Sequence, residues 1–159
     1  MPIAGPITRL LKWLGAAVRA DPVFSETTHL VLAGSMSLGA DIWGSDLDLV
    51  LCCPVEQQPL EALRRMEAIV IATGEAVELD LVKEAMVPVL SFRLRNFGFS
   101  VDVVVNQMGS IRDTLLFRYA LRSSDSDLVA TVRLLKLWLK ERRIPGTKQG
   151  GFPTLVWMR

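Results

Sequence analysis

Residues 77–106 hold three short strand-like segments set apart by turn residues, and after Asn106 the apolar residues recur with the 3.6-residue period of a helix. That switch limits the chain to a sheet-forming part followed by a helical one. The segments VELDLV (77–82), VPVLSFRL (87–94) and FSVDVVVN (99–106) read as strands, the last two parted by a turn at Asn96-Phe97-Gly98. Two further strands are expected upstream. HLVLAG (29–34) is broken by Gly34-Ser35, and DLDLVLCC (46–53) is closed by Pro54. Between them and the later strands, QPLEALRRMEAIVIATG places Leu60, Leu63, Met66, Ile69 and Val70 at helical spacing and stops at Gly74. SIRDTLLFRYALRS and SDLVATVRLLKLWLKERR read as two final helices, with Ser124 to Ser126 capping the second. The fold class is therefore α+β: a mixed sheet of about five strands with flanking helices, then helices alone. The boundary falls near residues 107–110.

The N-terminal MPIAGPITRLLKWLGAAVRADP carries Ile7, Leu10, Leu11, Leu14 and Val18 on one helical face, with Arg9, Lys12 and Arg19 elsewhere on the wheel. An organelle transit peptide can look like this, but the segment is poor in Ser and its apolar stripe suits packing on a sheet. Three parts follow: a packing helix over 1–24, a sheet domain over 25–107 and the start of a helical domain over 108–159. With 159 residues, half of them hydrophobic, one core is the default. Eighteen basic against 17 acidic residues leave a formal charge of +1, so any attraction to nucleic acid has to come from a local patch. Mean hydropathy is +0.34, yet no uninterrupted apolar run approaches the roughly 20 residues of a spanning helix. The chain reads as soluble, with no membrane partner and no secretory signal. Cys52 and Cys53 are neighbours that a strand points to opposite faces, which argues against a disulfide between them. His29, the only histidine, reads as structural.

The unusual feature is GSMSLGADIWGSDLDLV, residues 34–50. Asp46 and Asp48 lie two apart in a strand, on the same face, among Leu47, Leu49 and Leu51. Asp102 interrupts SVDVVV in the same manner. Burying three carboxylates together is costly unless a cation neutralises them, and an all-oxygen set favours Mg²⁺ or Mn²⁺. Such a set is the arrangement of two-metal phosphoryl or nucleotidyl transfer. Gly34 would let backbone approach a phosphate, Ser35 would offer a hydroxyl and an N–H, and a short helix starting there would turn its positive end to the anion. Ser45 is a second candidate contact. The plainer alternative is an edge strand with a solvated acidic face behind an ordinary Gly-Ser turn.

In this order the residues resemble the signature of the DNA-polymerase-β-like nucleotidyltransferases, Gly-Ser followed by Ser-Asp-hydrophobic-Asp-hydrophobic. AMVPVLSFRLRNFGFSVDVVVNQ is similar to the strand pair that brings in the third aspartate in noncanonical poly(A) polymerases and terminal uridylyltransferases (TUTases). LLKLWLKERRIPGTKQGGFPTLVWM resembles their helix and the nucleotide-contacting element after it. The resemblance spans roughly residues 25–158. It implies that Asp46, Asp48 and Asp102 are catalytic and bind Mg²⁺ or Mn²⁺, Asp102 also helping to deprotonate the RNA 3′-hydroxyl. It implies that Gly34 and Ser35 hold the β and γ phosphates, and that Lys136 and Lys140, one turn apart, contact the triphosphate.

The departures are specific. Asp113 stands before Thr114 where the family has a ribose-contacting Asn, and Pro153-Thr154-Leu155 replaces Ser-Ser-Tyr, so Thr154 keeps a hydroxyl while the base-stacking aromatic is lost. The family's helical domain is expected to continue beyond Arg159, and Leu155, Val156 and Trp157 would begin a helix without its partners. The expected activity is template-independent addition of uridylate or adenylate from UTP or ATP to a single-stranded RNA 3′ end with release of pyrophosphate, in a larger RNA-processing complex of the cytoplasm or mitochondrion. The alternative is a truncated or catalytically impaired nucleotidyltransferase-like scaffold. A small transferase that modifies a protein or an antibiotic is disfavoured by the LLKLWLKERR helix.

Overall fold

The structure is a computed structural model that describes residues 4–24, 26–54, 57–123 and 127–144. The proposed cap at Ser124 to Ser126 and the whole of GGFPTLVWM, Thr154 included, lie outside the described residues. Elements follow the order α1 (Ala4–Ala20), β1 (His29–Ala33), α2 (Gly34–Ser37), β2 (Leu47–Cys52), α3 (Pro59–Ala72), β3 (Ala76–Val82), β4 (Val89–Leu94), β5 (Ser100–Val105), α4 (Met108–Ser123) and α5 (Asp127–Glu141).

All five strands join one mixed sheet in the order β1-β2-β5-β4-β3. β2 pairs antiparallel with β1 and parallel with β5, and β4 is antiparallel to both of its neighbours. Alternation divides the sheet into two faces. Leu47, Leu49 and Leu51 of β2, with Val101, Val103 and Val105 of β5 and Leu90, Phe92 and Leu94 of β4, form the core face. It is covered by Ile7, Leu10, Leu14 and Val18 of α1 and by Ala62, Leu63, Met66 and Val70 of α3. Truncating one such residue, as in Leu14→Ala, removes ~2–5 kcal/mol of stability through lost transfer energy and the cavity left behind. β3 closes one edge of the sheet with its side chains largely exposed, among them Glu78 and Asp80, charges that discourage further strand addition.

The other face carries the intervening residues, Asp48 and Val50 of β2 and Asp102 and Val104 of β5, and receives α2, α4 and, through Val132, α5. The expected elements and the observed ones differ by a residue or two at their ends. β4 starts at Val89 because Pro88 has no N–H to give to the ladder, and α4 starts at Met108 instead of Ser110. α3 opens with Pro59 in its first turn, where a missing N–H costs nothing. Asp21, just past α1, accepts from Arg65 Nε of α3 at 2.9 and 2.8 Å and fastens the two helices together. That contact holds the Asp21 carboxyl below its usual value. Cys52 and Cys53 are free thiols. His29 is exposed, with Nδ1 2.8 Å from the Thr27 carbonyl. Among the described residues no helix is long and apolar enough to cross a membrane.

Candidate active site

Strand parity and register build the site. Because β2 and β5 run parallel with Asp48 opposite Asp102, and both residues belong to the face turned from the core, the two carboxylates rise side by side. Adjacent strands lie about 4.8 Å apart, so these like charges are close neighbours. Ser91, opposite Asp102 on the antiparallel side, donates its hydroxyl to Asp102 Oδ1 at 2.6 Å. This bond fixes the orientation of one carboxylate.

The same register brings Ala33 opposite Asp48, so the turn that leaves β1 passes directly over the Asp48 side chain. Gly34 opens α2 at a φ of +67°, and a Cβ there would stand 1.9 Å from Asp48 Oδ2. No side chain fits. The Gly34 N–H donates to Thr114 Oγ1 of α4 at 3.1 Å, and that buried hydroxyl in turn donates to the Ser110 carbonyl at 2.7 Å. Thr114 thus holds the turn against α4. Ser37 Oγ closes α2 on the Gly34 carbonyl at 2.8 Å, and Arg118 reaches the Ser37 carbonyl at 3.3 Å.

These elements enclose a cleft of about 460 Å³ whose polar lining includes Gly34, Ser35, Asp48, Asp102, Asp113 and Lys136. Its apolar wall comes from Val104 of the sheet, from Phe117 and Leu121 of α4, and from Val132 of α5. A cleft of this size falls within the range of small-ligand sites, ~300–1,000 Å³. Lys136 brings the cation. Its ammonium donates to the Ala40 carbonyl at 3.3 Å and to Ser45 Oγ at 3.2 Å. Burial pushes its pKa below the ordinary lysine value, against the pull of Asp41, Asp48 and Asp46.

The sequence-derived residues therefore fall into groups. Gly34, Ser35, Asp48, Asp102, Asp113, Thr114 and Lys136 line one cleft. Ser45 meets it through Lys136 and through a bond from the Ile42 N–H at 3.0 Å. Asp46, one residue before β2, and Lys140 are not among the lining residues. Lys140 instead donates to the Trp43 carbonyl at 2.8 Å. Asp113, also part of the lining, sits 3.5 Å from the exposed Arg112. Among the described residues no group of three or more His, Cys, Asp or Glu side chains could hold a metal ion, so the carboxylates brought together are two, Asp48 and Asp102. The sequence reading overlooked Ser91, Asp41 and the apolar wall of Phe117 and Val132. Ser91 was not readable in this way, since a turn symmetric about Phe97 would set Phe92 across from Asp102, and the observed register is offset from that by one residue.

A family model described as "Poly(A) RNA polymerase, mitochondrial-like, central palm domain" matches residues 9–122. No curated protein sequence matches. Among solved structures the chain is similar to the Cid1 poly(U) polymerase with Mg and 3′-dATP bound, at a TM-score of 0.81 and 23% identity over 96% of this chain and 46% of that one. A cytoplasmic RNA terminal U-transferase gives 0.75 and 22% over 95% and 44%. The polymerase core of TRAMP, an RNA surveillance complex, gives 0.77 and 22% over 94% and 46%. The chain spans under half the length of these structures, and the likeness to them is one of fold. The family match runs from the first core helix through the whole sheet into α4, taking in the Gly34 turn, Asp48 and Asp102 together, and so the chain belongs to the family of the mitochondrial-like poly(A) RNA polymerase central palm domain.

Proposed function

We propose that the chain is the catalytic palm of a template-independent RNA 3′-terminal nucleotidyltransferase, which adds uridylate or adenylate from UTP or ATP and releases pyrophosphate. The observation that carries this reading is the Asp48 and Asp102 pair, level with each other on parallel strands and facing a cleft shared with Gly34, Ser35 and Lys136. Two adjacent carboxylates in a half-buried cleft favour a cation, and their all-oxygen chemistry fits Mg²⁺ or Mn²⁺. Asp48 and Asp102 would hold such ions, and Asp46 is assigned to them by resemblance alone. When bound, divalent ions supply charge neutralisation for the phosphates and lower the pKa of an attacking hydroxyl.

The remaining work falls to the chain's own groups. Asp102, oriented by the Ser91 hydroxyl, would accept the proton of the RNA 3′-hydroxyl. Glycine at position 34 lets the turn pass over the Asp48 carboxylate, and the β and γ phosphates would lie against the backbone of that turn beside Ser35. Lys136 brings a positive charge to the cleft lining, and Ser45 orients its ammonium. Asp113 can accept from a ribose hydroxyl, and Thr114 keeps the phosphate turn seated on α4. Lys140 and Thr154 are assigned to the triphosphate by resemblance alone. A role inside a larger RNA-processing assembly follows the same analogy, since the TRAMP polymerase core belongs to a complex.

The second reading, a nucleotidyltransferase-like scaffold without turnover, draws on one observation: Asp46 is not part of the cleft lining. Incorporation of labelled UTP or ATP into a short single-stranded RNA with Mg²⁺ or Mn²⁺ separates the two. Extension by the chain and none by its Asp46→Ala, Asp48→Ala variant supports the transferase. Triphosphate binding without any extension supports the scaffold.

A further inference from the structure

The loop between α2 and β2, residues 38–46, is tied to α5 along its length. Arg133 lies 3.9 Å from Asp41 Oδ1, Lys136 donates to the Ala40 carbonyl at 3.3 Å and to Ser45 Oγ at 3.2 Å, and Lys140 donates to the Trp43 carbonyl at 2.8 Å. These basic residues stand three and four apart, on one face of the helix. Within the loop, the Ser45 N–H donates to the Ile42 carbonyl at 3.0 Å and Ser45 Oγ accepts from the Ile42 N–H. Gly44 takes a φ of +77°, and a Cβ there would be 3.0 Å from Lys140 Nζ, so bare backbone is what admits the ammonium.

A loop held at residues 40, 41, 42, 43 and 45 nevertheless presents its largest side chain to water. The Trp43 indole is 89% exposed, with the Lys140 ammonium 5.0 Å from its ring centroid. The apolar faces of an indole gain nothing from hydration, and a held backbone beneath it lowers the entropy cost of ordering it for a ligand. The loop runs between two cleft-lining residues of the chain, Ala40 and Asp48. Lys140 is joined by Arg142 and Arg143, all exposed, at the end of α5. A fixed aromatic face beside clustered cations is the combination that binds single-stranded nucleic acid, with bases stacked on the ring and phosphates drawn to the charges.

We propose that Trp43 is a stacking platform for an unpaired base of a single-stranded RNA substrate, with Lys140 fixing the platform and its neighbouring arginines attracting the RNA backbone. The inference rests on the RNA-transferase reading and adds a site for the strand that is extended.

The test is the affinity of the full chain for labelled short oligouridylate and oligoadenylate, read by fluorescence anisotropy, for wild type, Trp43→Leu and Trp43→Phe. Leucine keeps apolar bulk without a π face, and phenylalanine keeps the face. The platform predicts that Trp43→Leu weakens binding of both RNAs about tenfold, the scale of a deleted base-stacking contact, while Trp43→Phe stays within about threefold of wild type. Melting temperatures should be unchanged, because the side chain is exposed. Equal affinity of wild type and Trp43→Leu, no binding of either RNA by wild type, an equal loss in both variants, or a lowered melting temperature would each overturn it. Triphosphate binding, measured on the same samples by calorimetry, keeps the two levels apart. If wild type and Trp43→Leu bind UTP or ATP alike but the RNA affinity ignores Trp43, the platform fails and the transferase reading stands; if no triphosphate binds, the transferase reading itself fails.

Discussion

Gly34 and Asp48 approach so closely that only glycine can occupy position 34: a Cβ there would lie 1.9 Å from Asp48 Oδ2, and the backbone φ is already +67°. Gly34→Ala should therefore carry two penalties. The left-handed backbone alone costs ~1–2 kcal/mol, and the clash displaces Asp48 in addition. Gly74→Ala separates the two, since Gly74 has a φ of +69° and nothing within 4 Å of a Cβ. Thermal melts should show a larger loss for Gly34→Ala than for Gly74→Ala, and triphosphate binding should disappear only in the former.

Asp102 depends on Ser91 in a way that activity can read. Ser91→Ala removes the 2.6 Å bond to Asp102 Oδ1 and should lower RNA extension by roughly 10- to 100-fold, the value of a hydrogen bond to a charged group, ~1.5–3 kcal/mol. Ser91→Thr retains the hydroxyl in a strand position that tolerates β-branching, and should recover most of the loss. Steady-state extension kinetics of the two variants check this.

Thr114 is a stability residue as much as a site residue. Its hydroxyl accepts from the Gly34 N–H at 3.1 Å and donates to the Ser110 carbonyl at 2.7 Å. Thr114→Val keeps the volume and orphans the Gly34 donor, at a cost of ~1–3 kcal/mol, whereas Thr114→Ser should lie within about 1 kcal/mol of wild type. Urea midpoints measured at constant slope give both values.

Asp21 and Arg65 supply a pH-dependent term far from the cleft. The Arg65 guanidinium depresses the Asp21 carboxyl below 3.8, so the contact stabilises the folded chain fully above that value and the contribution is lost as pH falls through the lower folded-state pKa. Asp21→Asn should accordingly melt below wild type at pH 7, and the difference should close on acidification below about pH 3.8. A gap that stayed constant with pH would show that the helices are held by packing alone.

Much of this arrangement was legible in the sequence. All five strands were legible as short apolar runs bounded by turn residues, and the parity of Asp48 set it on the face away from Leu47, Leu49 and Leu51. The pairing of Asp48 with Asp102 was not readable from parity alone, because it depends on the parallel register of strands separated by α3, β3 and β4. Lys136 was singled out, but its partners Ala40 and Ser45 lie more than ninety residues away, and no local pattern connects them. Trp43 carried no periodic signal at all, being a loop residue whose role comes from where Lys140 holds it.

The most direct measurement of the central claim is equilibrium binding of UTP and ATP to the chain, with Mg²⁺ or Mn²⁺ and again with excess chelator, for wild type and for Asp48→Asn, Asp102→Asn. If the two carboxylates and the Gly34 turn form a metal-dependent triphosphate site, wild type binds only with the divalent ion, the double variant loses at least about 100-fold in affinity, about 2.7 kcal/mol, and its melting temperature stays near that of wild type. Equal binding by both proteins, or binding indifferent to the chelator, would contradict it.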